Sequence, residues 1–437
     1  MMSNSSGYDC DVLVVGGGPA GSTAAALLAE KGYRVILLEK DRHPRFHIGE
    51  SLLPLNLPLL QRLGVLEEVE RVGMLKYGAE FVSPYHGKAI TFEFANAWDK
   101  ELPYAFQVRR SEFDHILIRN TAARGATVVE GCKVTDVEFP AEGGAVVTAK
   151  KDDGNMRTVR ARFLVDASGR DTLLASRFGI KHRNRKHNSA AMFGHFTGAH
   201  RLSGKAEGNI TVFWFDHGWF WFIPLADGTT SVGAVCWPYY LKLRKTDQTT
   251  FFKDTIALCP ALAERLKDAE LTGPVTGTGN FSYQAERMAG PGYIMLGDAF
   301  AFIDPVFSTG VYLAMNSAFK GAEAVDLCLR EPARQVVVLK RFEKEIQQGI
   351  GTFSWYIYRV TTPALRNLFM GPRNVFRVEE ALLSLLAGDV FRPSPIKSRL
   401  RIFKAIYYIN AALDFKTNFL AWRKRRRNVR APAGETT

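Results

Sequence analysis

The sequence predicts an α/β fold: a parallel sheet opened by a βαβ unit, an antiparallel sheet beside it, and a helical C-terminal region. Three observations predict it. An apolar strand over residues 11–15 runs into glycines and then into a helix over 20–31. Residues 209–236 alternate and are rich in Trp, Phe and Val, the pattern of several antiparallel strands. Beyond about residue 311 the chain reads as helix. Its 437 residues, 46% hydrophobic and 23% charged, supply a full core and exclude a disordered, collagen-like or disulfide-stapled chain.

The opening unit is a strand over 11–15, a helix ended by Gly32, and a second buried strand over 34–39. Such a unit implies parallel strands with helices on their faces. Residues 88–94 alternate as a strand buried on one side, and 112–124 reads as helix. Strands follow over 126–129, 145–149 and 163–166, and 293–298 forms a last buried strand ending at a turn. A first domain over 1–345 thus carries antiparallel sheet insertions near 76–104 and 190–285. Residues 346–437 form a helical C-terminal region with a basic tail. There, Ser394-Pro395 supplies a capping Ser and a Pro for the first turn. Ile402, Ile406, Ile409 and Leu413 fall on one apolar stripe, and the aromatic run at 353–358 reads as core.

Lys plus Arg number 57 and Asp plus Glu 44, a net charge of +13. Arg423, Lys424, Arg425, Arg426, Arg427 and Arg430 crowd the tail. A solvated end and a docking site for an acidic partner or anionic lipid both fit that charge, which names no partner; no nucleic acid is expected. Five scattered cysteines without a C-x-x-C pair argue against structural metal and for reduced thiols in a cytoplasmic protein. The first eight residues lack a secretory pattern, and no apolar run approaches the roughly 20 residues of a membrane span.

Chemistry begins at Gly16-Gly17-Gly18-Pro19-Ala20-Gly21, a G-x-G-x-x-G between strand and helix. Gly16 permits the tight turn, Gly18 lets a pyrophosphate approach the backbone, and Gly21 lets helix and strand pack closely. The helix N-terminus offers free N–H groups. Glu39 ends the second strand, where a carboxylate meets a ribose diol. This is a Rossmann-like dinucleotide site, and the motif alone leaves FAD and NAD open.

Three later stretches, Gln107–Asp114, Leu164–Arg170 and Leu296–Ala299, join the first motif in an order that resembles the flavoprotein monooxygenase superfamily. The resemblance implies FAD, with Arg110 and Asp298 among its ligands and Ala20, Lys40, Ser51 and Val134 in the same binding set; Ser51 closes the stretch Phe46-His47-Ile48-Gly49-Glu50-Ser51. His47 there has no assigned chemistry.

The segment His217–Pro224 contains W-x-W-x-I-P, which places Trp219 and Trp221 on one side of a strand. With it the chain resembles the flavin-dependent halogenases. That resemblance implies an essential lysine at Lys76, in Lys76-Tyr-Gly-Ala-Glu-Phe81, and halide held by the backbone amides of Thr309 and Gly310. It implies that Trp219 and Trp221 keep the organic substrate off the flavin. Tryptophan halogenases carry a glutamate just before Ser-Thr-Gly; Phe307 stands there, as in the phenol and pyrrole branch. The implied reaction is halogenation, dependent on reduced FAD and O2, of an electron-rich aromatic, free or tethered to a carrier protein. Hypohalous acid made from chloride or bromide is relayed to the lysine, and a separate reductase supplies the reduced flavin. The alternative is an NAD(P)H-dependent aromatic hydroxylase of the same fold.

Overall fold

Strand β1 (Cys10–Val15) lies between β2 (Val35–Leu38) and the long strand Met156–Asp166, parallel to both. Residues 7–184, 187–279 and 282–430 are described, from a computed structural model. Tyr293–Met295 extends the parallel sheet beyond Met156–Asp166, and Thr127–Val129 extends it beyond β2. Helix α1 (Pro19–Glu30) packs against helices Arg110–Ala123 and Thr309–Arg330, with Ala24, Ala25 and Ala26 buried between them. Alanines there let the helices sit close to the sheet.

The two sheet insertions become one sheet. Its strands run Glu270–Leu271, Ala190–Thr197, Thr230–Cys236, Gly218–Pro224, Ile210–Phe215, Gly78–Ser83 and Lys88–Glu93, with Thr276–Thr278 also paired to Ala190–Thr197. All neighbours are antiparallel except Ile210–Phe215 with Gly78–Ser83, which join the insertions in parallel. Alternation divides Gly218–Pro224 between two cores. Trp219, Trp221 and Ile223 face the main core, while Phe220 and Phe222 face a second core under helices Gln248–Ala257 and Pro260–Arg265. Both faces are buried, so the apolar run is nearly continuous.

Helix Gln335–Ile357 passes without a break through residue 345, where the sequence divides the chain. Phe353, Tyr356 and Ile357 are buried, as their aromatic run predicts. Helix Ile396–Leu413 corrects half of the expected stripe: Ile402 and Ile406 pack against the core, and Ile409 and Leu413 do not. It buries Ile396, Leu400, Phe403 and Tyr407, and leaves Ile409 and Leu413 at 60% and 84% exposure. Two apolar stripes compete on this helix. The one carrying rings wins because Phe403 meets Tyr356 at 5.5 Å and Tyr407 meets Trp355 at 5.1 Å. Pro395 takes the cap position instead of the first turn, with Ser394 Oγ accepting from the Ile396 amide at 3.4 Å. Helix Phe415–Arg430 carries the basic cluster; the Arg430 side chain and residues 431–437 lie outside the described residues. Among the described residues no helix is long and apolar enough to cross a membrane, and no cluster of potential metal ligands forms.

Candidate active site

A cavity of about 630 Å³ runs from the glycine turn to the start of helix Thr309–Arg330. The expected residues Gly16, Gly18, Ala20, Glu39, Lys40, Ser51, Arg110, Val134, Trp219, Trp221, Asp298, Thr309 and Gly310 all line it. Two expected residues do not: Gly21 lies behind the wall, and Lys76 lies beyond it.

The three motif glycines are constrained in different ways. A Cβ at Gly16, whose φ is +101°, would meet Ala167 O at 2.3 Å, and one at Gly21 would meet Gly16 O at 1.8 Å. These two serve the fold itself. A Cβ at Gly18 would find only Arg45 Nη2, at 3.7 Å, so space above Gly18 belongs to whatever fills the cavity. Gly18 caps α1 without a side-chain hydrogen bond to its first amides among the described residues. Open amides beside Arg45 suit a pyrophosphate.

Glu39 accepts from the Gly17 amide at 2.5 Å and the Asp41 amide at 2.8 Å, which fixes its carboxylate at the rim. Lys40 pairs with Asp171 at 2.6 Å. Arg110 is held by two hydrogen bonds to Asp114, at 2.8 and 2.9 Å, and donates to Ile48 O at 2.9 Å. Arg45 shares Asp114 at 3.1 Å. These contacts hold two arginines at the wall before any ligand arrives. Burial pushes the Asp298 carboxyl up to about 6, against the pull of Arg170 and Arg110. Burial likewise pushes His47, which also lines the cavity, down to about 4, and its Nδ1 lies 2.6 Å from Ile48 O. Open amides, paired arginines, a rim carboxylate and the cavity's extent all fit FAD.

The indoles of Trp219 and Trp221 lie 6.1 Å apart on the cavity wall. Trp221 Nε1 donates to Ser231 Oγ at 3.1 Å, and the ring rests on Gly233, where a Cβ would fall 2.2 Å from Cζ2. Opposite the glycine turn, Thr309 and Gly310 begin a helix of 22 residues with no side-chain cap. Ser308 precedes them in the left-handed region, φ 56°. The first amides of the helix are thereby presented to the cavity.

Lys76 is 1% exposed. It ends strand Met74–Lys76, which pairs with Ala105–Gln107. Its Nζ donates to Ser51 Oγ at 2.9 Å and Leu52 O at 3.0 Å, and sits 5.3 Å from the Phe94 ring. With no carboxylate in its shell, burial alone brings it down to about 7. Ser51 touches both the cavity and the amine, and so joins them. The strand is pinned by Asn209 Oδ1, which accepts from the amides of Tyr77 and Gly78 at 2.9 and 2.7 Å.

Sequence reasoning gave no role to Arg45, Asp114 or Asn209. Asp114 was legible, four residues after Arg110 on one helix. Asn209 was not, because it reaches Tyr77 only through the parallel joining of two distant insertions.

The family model described as "FAD binding domain" matches residues 9–348. Fold, cavity and this match define an FAD-dependent flavoprotein. The chain is 29% identical to a 1H-pyrrole-2-carbonyl peptidyl-carrier-protein chlorinase of Pseudomonas fluorescens, covering 98% of this chain and 99% of the relative. It is 39% identical to a tryptophan 2-halogenase of Chondromyces crocatus over 72% of this chain, and spans 60% of that relative's length. The structure of the myxobacterial chondrochloren halogenase CndH matches with a TM-score of 0.77 at 31% identity, over 89% of this chain and 98% of that one. The chain belongs to the flavin-dependent halogenases.

Proposed function

We propose that this halogenase places a halogen on an electron-rich phenolic or pyrrolic ring, through hypohalous acid passed from the flavin cavity to Lys76. The observation that carries the reading is the buried Lys76 amine. Its protonation balances near pH 7, and one serine separates it from the cavity. Reduced FAD, delivered by a separate reductase, supplies the activation of O2 that oxidises halide. The chain does the rest. The amides of Thr309 and Gly310 hold chloride or bromide where the helix end favours an anion. Trp219 and Trp221 fill the space a ring would need to reach the flavin. Ser51 leads toward Lys76, whose neutral amine accepts the halogen as a haloamine and whose ammonium holds the acid by hydrogen bond. The aromatic ring takes the halogen and gives up its proton, and water leaves with the hydroxyl oxygen. Confinement keeps the oxidant from the thiols and thioethers of the enzyme.

Phe307 supports the phenol or pyrrole class. It is buried and stacks on Phe369 at 6.2 Å with planes 5° apart, so an apolar ring stands where the tryptophan branch carries its glutamate. A carrier-bound substrate is supported by helix Phe415–Arg430. Its outer face stacks Phe415, Phe419 and Trp422, which are 66%, 44% and 51% exposed, beside exposed Lys416, Arg423 and Lys424. An acidic carrier complements that surface. Reversing these three charges (K416E/R423E/K424E) is expected to raise KM for carrier-bound substrate and leave turnover of the free ring unchanged.

The test is product mass spectrometry with FAD, a reductase, NADH, O2 and chloride or bromide, on phenols and pyrroles, free and carrier-bound. A halogen isotope pattern that vanishes in Lys76→Ala, with FAD still bound, is expected. Gain of one oxygen instead, or halogenation retained by Lys76→Ala, overturns the reading.

A further inference from the structure

The turn that presents Thr309 and Gly310 begins at Asp304, which is 4% exposed. One Asp304 oxygen accepts from the Val306 amide at 3.1 Å and so caps the short helix Pro305–Phe307. The other lies 2.8 Å from His187 Nε2 and 3.3 Å from Ser189 Oγ. His187 is 3% exposed, and its Nδ1 lies 2.8 Å from Arg425 Nη2. A guanidinium only donates, so Nδ1 must offer a lone pair. The ring proton therefore sits on Nε2 and points at Asp304.

Arg425 is itself fixed. It donates to Tyr358 O, its guanidinium carbon lies 5.4 Å from the centre of the Trp237 ring, and Tyr358 packs on His187 at 4.8 Å. Four residues beyond Asp304, Ser308 takes a left-handed conformation, φ 56°, which a residue with a side chain rarely adopts. Such a residue persists where its surroundings over-determine it. Here two contacts from the C-terminal helices do so, Arg425 through His187 and Asp304, and Phe369 on Phe307.

We propose that Arg425 is a positioning residue for the halide site. By fixing the tautomer of His187 it holds Asp304, and with it the turn that aims the Thr309 and Gly310 amides. The basic tail thus divides: Arg425 turns inward and serves the site, while its neighbours face solvent. The proposal rests on reading those amides as the halide site.

The test compares wild type, Arg425→Ala, Arg425→Lys and the outer control Arg427→Ala as FAD-loaded enzymes. Bromide is titrated in two ways, by its perturbation of the oxidised-flavin absorbance and by its KM in turnover. In Arg425→Ala, half-saturation by both readouts is expected to rise at least tenfold. FAD affinity, KM for the aromatic substrate and rate at saturating bromide should stay within about twofold. Arg425→Lys, which still donates to Nδ1, should recover most of the bromide affinity, and Arg427→Ala should match wild type. A second pair guards against a folding defect. His187→Gln keeps a donor for Asp304 without a tautomer to fix, so adding Arg425→Ala to it should change bromide half-saturation less than twofold. Unchanged bromide affinity in Arg425→Ala overturns the proposal, as does an undiminished effect in the His187→Gln background. A wild-type enzyme with neither a bromide-dependent spectrum nor brominated product overturns the halide reading instead.

Discussion

Replacing Lys76 by methionine isolates the charge of the buried amine, because methionine nearly matches the lysine stem and does not titrate. The amine ordinarily titrates at 10.5, and burial brings it to about 7. Each unit of that shift is worth about 1.4 kcal/mol, so the folded chain disfavours the ammonium by about 5 kcal/mol relative to the unfolded chain. Between pH 7 and 10.5 the unfolded chain carries a proton at this site that the folded chain lacks, and stability rises with pH wherever the unfolded state binds more protons. The stability of wild type minus that of Lys76→Met should therefore climb by about 2 kcal/mol from pH 7.5 to pH 9 and lie flat below about pH 6, where both states are charged. Urea unfolding of both FAD-loaded proteins at pH 5.5, 7.5 and 9, followed by tryptophan fluorescence, reads this directly. A difference that does not move between pH 7.5 and 9 would refute the reasoning. It would mean the amine stays charged in the fold, and that a neutral nucleophile is not available to accept halogen at neutral pH.

Four further substitutions separate parts of the site. Gly18→Ala puts a methyl into the open cradle, so apo-protein Tm should hold within about 1 °C while the Kd for FAD, read by flavin fluorescence, rises at least tenfold; Gly21→Ala, which strikes the Gly16 carbonyl, should lower Tm first. Gly233→Ala forces the Trp221 ring off its seat, costing about 1–3 kcal/mol in urea unfolding and raising hydrogen peroxide released per halogenated product; unchanged coupling would show that the seat of Trp221 does not matter. Asp298 titrates near 6 in the fold against 3.8 in the open chain, so the folded apo-protein holds a proton longer and loses stability as pH rises from about 4 to 6. Asp298→Asn should remove that loss, with an advantage over wild type of up to about 3 kcal/mol above pH 6.5 that closes below pH 4, measured by denaturation at constant ionic strength.

The sequence by itself determined everything local. Residues 11–39 announce strand, glycine turn, helix and strand, because an apolar run, a G-x-G-x-x-G and a carboxylate at fixed spacing satisfy the chemistry of one short segment. The pairing of Trp219 with Trp221 follows from the two-residue period of a strand, whereas the depressed pKa of Lys76 comes from burial. Only the tertiary structure decided what depends on distant partners. Nothing near Lys76 foretells that Asn209 pins its strand or that Ser51 receives its hydrogen bond, since those contacts span 131 and 25 residues. Helix Ile396–Leu413 offered two apolar stripes of equal period, and the rings of Trp355 and Tyr356 chose between them. The charge of the tail read the same at every residue, yet one arginine turns inward because His187, 238 positions away, offers it an acceptor. Periodicity and motif act through the backbone and are visible in one dimension; burial and hydrogen-bond partners are properties of space, and the chain acquires them only when it closes on itself.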